Sequence, residues 1–203
     1  MKIIAVGKNY AKHAKEMNSE IPKEPVIFLK PETALSKNNK PFYYPDFTKS
    51  LHYETELIFR ICKIGKNIDK KFAHRYYDKI GIGIDFTARD IQNRQKEKGL
   101  PWELAKGFDG SAPISNFIDI SEFPDINNIN FSLDINKKTV QTGNSNDMIF
   151  KIDEIITFVS RFFTLKIGDI IFTGTPQGVG EVKIGDKLSA KIEGNELLTC
   201  EIK

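Results

Sequence analysis

Cysteine, tryptophan and long apolar runs are all scarce in this sequence, and each shortage closes off a class of protein. Of the two cysteines, neither Cys62 nor Cys200 has a second Cys or His at metal-ligand spacing, so no thiolate zinc site is expected and both read as reduced thiols within strand-like alternations. No stretch approaches the roughly 18 consecutive apolar residues of a membrane span. The opening Met1-Lys2-Ile3-Ile4-Ala5-Val6 is too short for a signal-peptide core, so the chain is expected in the cytoplasm and away from the membrane. An excess of one charge is missing as well. Thirty Lys+Arg against 27 Asp+Glu leave a net charge of +3, without the basic stripe of a dedicated nucleic-acid binder. A hydrophobic fraction of 40% with 28% charged residues then excludes disordered, collagen-like and coiled-coil readings.

What is present fits one globular domain over all 203 residues, with no repeat and no composition break that would mark a linker. A short strand over Lys2–Val6 leads through Gly7 to a helix near Tyr10–Met17. The two prolines Pro22 and Pro25 then make a loop before the apolar run Val26–Leu29, and residues about 10–25 read as a possible lid. Alternation predicts strands over Tyr53–Ile64 and Lys79–Phe86. A helix follows over Thr87–Lys98, stopped by Gly99-Leu100-Pro101. Asn136-Lys137-Lys138 reads as a hairpin turn between strands at Phe131–Ile135 and Thr139–Thr142. Helical spacing over Asp153–Phe163 puts Ile155, Ile156, Phe158, Val159, Phe162 and Phe163 on one apolar face. Strands return at Asp169–Thr173, Lys187–Ile192 and Leu197–Ile202. The pattern is a β-rich α+β fold with two or three helices.

Several residues carry chemical potential. In a strand Glu54 and Glu56 point to one face, roughly 6.6 to 7 Å apart along the chain, where both carboxylates could converge on a hard divalent cation. On the pair alone, an edge strand showing two acids to solvent is the more ordinary reading. Asp85 closes the glycine-spaced run Gly81-Ile82-Gly83-Ile84, whose glycines admit close approach of another backbone; an Asp in that place also serves as a helix cap or turn residue. His13 and Glu16, three apart, share a helix face, where the carboxylate can orient the imidazole as a general base; the neighbouring Lys12 and Lys15 also suit a solvated face. The segment Thr173-Gly174-Thr175-Pro176-Gln177-Gly178-Val179-Gly180 lacks the Gly-Lys-Ser/Thr ending of a nucleotide loop. Its N–H groups and hydroxyls could hold a carboxylate, or simply make a tight turn. Lys30 and Lys106 sit in apolar or proline-bounded surroundings, where a lysine can face an anionic substrate or lie along the surface.

Taken in order, these segments resemble the fumarylacetoacetate hydrolase domain family across essentially the whole chain. The segments are Gly7-Lys8-Asn9-Tyr10 with His13 and Glu16, Phe28-Leu29-Lys30-Pro31, Glu54-Thr55-Glu56-Leu57, Asp85-Phe86-Thr87-Ala88-Arg89-Asp90-Ile91-Gln92, Lys106-Gly107-Phe108-Asp109 and the Thr173–Gly180 run. Lys98–Trp102, Leu104-Ala105-Lys106 and Ser145–Phe150 are similar to the short acylpyruvase and oxaloacetate decarboxylase branch. The resemblance implies a mixed β-sandwich roll, a homodimer, and Mg²⁺ or Mn²⁺ held by Glu54, Glu56 and Asp85. It implies His13 and Glu16 as the dyad that activates water, Lys106 as a catalytic contact to substrate oxygens, and Lys30, Arg89, Gln92, Gly174 and Thr175 as substrate-binding residues.

The activity implied is cleavage of a C–C bond in a 2-oxo acid or diacid, an acylpyruvate or oxaloacetate, through a pyruvate enolate held on the metal. Isomerase chemistry is the alternative: keto–enol tautomerisation of oxaloacetate, or isomerisation of 2-hydroxyhepta-2,4-diene-1,7-dioate. A non-catalytic metal or oxo-acid binding module is the third reading.

Overall fold

The computed structural model describes residues 1–17 and 20–203; Asn18 and Ser19, within the expected lid segment, lie outside the described residues. Isoleucine-rich, β-branched runs form the largest sheet. Its six strands lie in the order Val26–Lys30, Ile3–Gly7, Ile170–Phe172, Thr55–Ile61, Tyr77–Ile84 and Ile118–Asp119. Within it Ile3–Gly7 and Ile170–Phe172 pair in parallel, and the other neighbours are antiparallel. A second, antiparallel sheet orders Lys138–Asn144, Asn130–Ile135, Lys187–Ile192 and Asn195–Glu201.

The two faces of the large sheet do different work. Leu57, Phe59, Ile80, Ile82 and Ile84 point into the main core, where they meet Phe131, Leu133, Ile192 and Leu198 of the second sheet and the apolar side of the Ile152–Ser160 helix. The opposite face carries Ile3, Ala5, Ile58, Ile170 and Phe172 in a smaller cluster with Ala34, Ala112 and Ile114. Gly81 and Gly83 belong to that second face. The expected backbone approach is there, as Ile114 bridges to Gly83. Side chains use the space as well: a Cβ on Gly83 would stand 2.7 Å from the Phe172 ring, and one on Gly81 2.8 Å from Ser115 Oγ. The result is a mixed, β-rich sandwich of the α+β class whose longer helices, among the described residues, are Ala11–Glu16, Arg89–Glu97 and Ile152–Ser160.

Local departures from the sequence reading have physical causes. The third sequence-predicted helix face is only partly buried: Ile155, Ile156 and Val159 are buried, whereas the helix ends at Ser160 and leaves Phe162 57% exposed. The helix expected from Thr87 begins at Arg89, because Thr87–Ala88 instead pairs with Leu51–Tyr53 as a short strand. The hairpin turn uses two residues, Asn136 and Lys137, both left-handed (φ 51° and 69°), which matches the twist of the flanking strands. Among the described residues no helix is long and apolar enough to cross a membrane.

Candidate active site

Antiparallel register assembles the three acids. Thr55 pairs with Ile84 and Glu56 with Gly83, so the next step along the ladder brings Asp85 beside Glu54, and Asp85 N–H donates to Glu54 O at 2.8 Å. Glu54, Glu56 and Asp85 therefore share the face of the sheet that bears Ile58 and the glycines. All three are buried, and each offers a ligand oxygen within 4.8 Å of the others.

Cations crowd two of these carboxylates. Lys106 Nζ donates to Glu54 Oε2 (2.8 Å), Asp85 Oδ2 (2.6 Å) and Thr87 Oγ1 (2.6 Å), which uses all three of its protons. Arg89 Nη2 lies 2.5 Å from Glu54 Oε1, and Arg89 Nη1 donates to Gln92 Oε1 at 2.7 Å. Lys30 Nζ lies 2.6 Å from Asp85 Oδ1, although that oxygen makes no well-formed hydrogen bond. Lys30 also donates to the Lys106 carbonyl and to Ser111 Oγ at 3.0 Å.

The electrostatics follow from this placement. Burial opposes charge on Glu54, but Lys106 and then Arg89 outweigh it and hold its carboxyl well below the usual range. Burial also opposes charge on Lys106, and Asp85 and Glu54 overcome it and raise its pKa. Glu56 has no cation partner among the described residues; it accepts the Gly174 N–H at 2.6 Å. Burial, then Asp85 and Glu54, push its carboxyl well up. Glu56, pushed toward its neutral form first by burial and then by two neighbouring acids, is the one acid of the three with no cation of its own among the described residues. With an incompletely bonded Asp85 Oδ1 beside it, this all-oxygen donor set suits a hard divalent cation.

The glycine-rich turn holds carboxylates, as its amides suggested, but they are this chain's own. Gly174 N–H holds Glu56, and Gly178 N–H donates to Glu16 Oε1 at 3.1 Å. Both glycines are left-handed, at φ 96° and 94°, and a Cβ at Gly174 would stand 2.7 Å from Asn9 Cβ. Glu16 Oε2 in turn receives His13 Nδ1 at 3.0 Å. A carboxylate accepts only, so His13 Nδ1 carries the proton and Nε2 is left as the basic nitrogen. Asn9 ties the same turn to the first strand by donating to Thr173 O at 2.7 Å.

His13, Glu54, Glu56, Asp85, Arg89, Gln92, Lys106 and Thr175 all line one narrow pocket with about 30 Å³ of free volume, room for one or two waters. Gly174 and Glu16 stand behind it, engaged with Glu56 and His13. Lys30 departs from the expectation of a substrate contact. Its side chain has no exposed surface and is absent from the pocket wall, because the three partners named above hold it beneath Asp85. Burial lowers its pKa, against the pull of Asp85.

Lys96, Phe28 and Trp102 are among the wall residues that the sequence reading does not single out as site residues. Lys96 was findable, since Arg89, Gln92 and Lys96 fall at i, i+3 and i+7 of one helix. Its ammonium lies 5.6 Å from the Trp102 ring, and among the described residues it has no carboxylate in ion-pair reach. A roomier cavity beside Pro31, Phe47 and Leu104 holds none of the three acids.

Residues 2–203 match the family described as fumarylacetoacetate (FAA) hydrolase, C-terminal. Oxaloacetate tautomerase YcgM of Escherichia coli is 44% identical over 199 residues, covering 98% of this chain and 91% of that protein. A mitochondrial oxaloacetate decarboxylase of Dictyostelium discoideum is 43% identical over 194 residues, covering 95% and 89%. Among solved structures, fumarylpyruvate hydrolase from Pseudomonas aeruginosa in complex with Mn²⁺ and pyruvate superposes with a TM-score of 0.94 at 36% identity, covering all of this chain and 89% of that one.

Proposed function

The chain belongs to the fumarylacetoacetate hydrolase C-terminal family and is an enzyme of it; from that premise we propose that it generates and protonates the enolate of a 2-oxo acid, with oxaloacetate and acylpyruvates as its substrate class. The observation that carries this is the convergence of three buried carboxylates within 4.8 Å, beside a fixed His–Glu pair and a cationic wall. Glu54, Glu56 and Asp85 would hold Mg²⁺ or Mn²⁺. Once bound, such an ion supplies the concentrated positive charge that lowers the cost of an enolate.

The chain's own residues supply the rest. His13 Nε2 takes a proton, either from C3 of oxaloacetate or from a water aimed at the distal carbonyl of an acylpyruvate. Glu16, pinned by Gly178, keeps the imidazole in the tautomer that can accept it. Lys106 exchanges one of its carboxylate contacts for a substrate oxygen. Arg89 and Thr175 face the substrate carboxylate, Gln92 orients Arg89, and Lys30 is reassigned to holding Asp85. The pocket is water-sized and His13 and Ala14 line one wall of it, so the Ala11–Glu16 helix, part of the expected lid, would move aside to admit a 2-oxo acid. The cytoplasmic, single-domain, homodimeric organisation expected from the sequence belongs to this same proposal.

Cleavage and tautomerisation share the enolate and differ in its fate. The name of the E. coli relative favours tautomerisation for oxaloacetate. Assaying oxaloacetate, acetylpyruvate and fumarylpyruvate with Mn²⁺ and with EDTA tests the proposal. Metal-dependent turnover is expected, with enol absorbance reporting tautomerisation and pyruvate release reporting cleavage. Turnover that survives EDTA, or none on any 2-oxo acid, contradicts it.

The wall cation adds a pH dependence. Burial, then Arg89, pulls the Lys96 pKa down to about 8, with Lys106 and Lys8 adding and Glu54 opposing. Its folded pKa lies below the ordinary lysine value, so its charge is present at pH 7 and lost as pH rises through about 8. The KM for dianionic oxaloacetate should rise about two- to fivefold between pH 7 and 9, the size of a solvent-screened charge contact. Monoanionic acetylpyruvate should respond less, and Lys96→Arg should flatten the profile because guanidinium stays charged.

A further inference from the structure

Gln141 lies on Lys138–Asn144 of the second sheet, but its side chain reaches across to the site. It is 2% exposed, and both ends of its amide are engaged. Oε1 accepts the Thr55 N–H at 3.0 Å, between the two acidic residues Glu54 and Glu56. Nε2 donates to Thr175 Oγ1 at 2.9 Å and to the Pro176 carbonyl at 3.0 Å. The amide cannot be turned over: a backbone N–H only donates and a carbonyl only accepts. The contact with Thr175 therefore has a fixed polarity, with the glutamine donating and the hydroxyl accepting.

A hydroxyl has one proton to give. Among the described residues Thr175 Oγ1 donates to no protein acceptor, although the side chain is 3% exposed and lines the pocket. A buried hydroxyl that accepts from a fixed donor and has no protein acceptor keeps its proton for an acceptor that enters.

We propose that Gln141 is a positioning residue that holds Thr175 as an acceptor on one side and so leaves its proton for the pocket, where the glycine-rich turn favours a ligand atom that accepts, a carboxylate oxygen. The proposal rests on the reading above that Thr175 meets the substrate. It also gives the second sheet a part in recognition.

The test uses oxalate as probe, titrated calorimetrically into the Mn²⁺-loaded enzyme, beside KM and kcat for oxaloacetate. Gln141→Glu keeps size and the contact to Thr55 N–H; in its ionised form, reached on the high-pH side of the assay because burial raises a carboxyl here, it has no proton to give, so Thr175 turns its own proton onto Glu and away from the ligand. Oxalate Kd and oxaloacetate KM should rise about tenfold or more, the scale of one hydrogen bond to a charged group, with kcat changed less than threefold. Thr175→Val should weaken oxalate similarly, and Gln141→Glu should add nothing in that background. Should Gln141→Glu fail to fold, Gln141→Met frees the hydroxyl to turn and should weaken oxalate two- to fivefold, again only when Thr175 is present.

Full additivity in the double variant, or unchanged oxalate binding in Gln141→Glu while Thr175→Val weakens it, overturns this inference alone. Wild-type oxalate affinity in Thr175→Val removes the underlying reading of Thr175 and this inference with it.

Discussion

Glu56→Gln should abolish turnover of every 2-oxo acid while leaving the fold intact. The substitution keeps the shape of the side chain and an oxygen for the Gly174 N–H, and removes one negative charge from the acidic cluster. Losing the ion costs the several kcal/mol of charge stabilisation that a Lewis acid contributes. At about 1.4 kcal/mol per decade that is a fall of roughly a thousandfold or more. The stability consequence has the opposite sign. Because burial, Asp85 and Glu54 raise the Glu56 pKa, its ionised form works against folding at neutral pH, and this group's contribution worsens as pH rises through its unfolded value. The metal-free Gln variant should therefore melt no lower than the metal-free wild type, and should lose the rise in Tm that Mn²⁺ gives the wild type. A variant that melts far below wild type would show that Glu56 holds the sheet together instead.

His13→Ala separates the reactions that share the pocket. Acylpyruvate hydrolysis needs a water deprotonated, and tautomerisation needs a proton moved at C3; loss of CO₂ from oxaloacetate needs neither. Removing a positioned general base costs typically 10²- to 10⁴-fold. Acetylpyruvate cleavage and enol–keto exchange should fall by that amount, and pyruvate formation from oxaloacetate should stay within about threefold. Glu16→Gln should show a weaker version of the same split, since the amide can present its N–H to His13 and stabilise the wrong tautomer. Equal loss of all three activities in His13→Ala would mean that the imidazole serves binding or closure of the pocket.

The site was legible in the sequence wherever local periodicity decides geometry. Glu54 and Glu56 at i and i+2, and His13 and Glu16 at i and i+3, do come together as their spacing implies. Asp85 is different in kind. Its place beside Glu54 depends on the antiparallel register of Thr55–Ile61 with Tyr77–Ile84, which no short-range pattern encodes; the ordered family segments suggested it. Lys30 shows the limit of reading composition around a residue. An apolar, proline-bounded setting leaves a substrate contact and a surface lysine both open; that the ammonium is buried against a carboxylate is decided by Asp85, 55 positions away. Gln141 carried no signal, because its partners Thr55 and Thr175 come from remote parts of the chain. The strands were easier than the helix limits. Alternating isoleucines predict a strand over Lys79–Phe86, two residues from the observed Tyr77–Ile84, whereas Thr87–Ala88 gives up helix for a strand pairing that the folded Leu51–Tyr53 offers.

The central claim is that Glu54, Glu56 and Asp85 form one divalent-cation site on which turnover depends. Calorimetric titration of Mn²⁺ into the chelator-treated protein, with wild type beside Glu56→Gln, tests it most directly. One ion bound per chain, oxaloacetate turnover rising in proportion to occupancy, and both lost in Glu56→Gln are the expected result. Turnover at zero occupancy, or Mn²⁺ binding unchanged in Glu56→Gln, would contradict it.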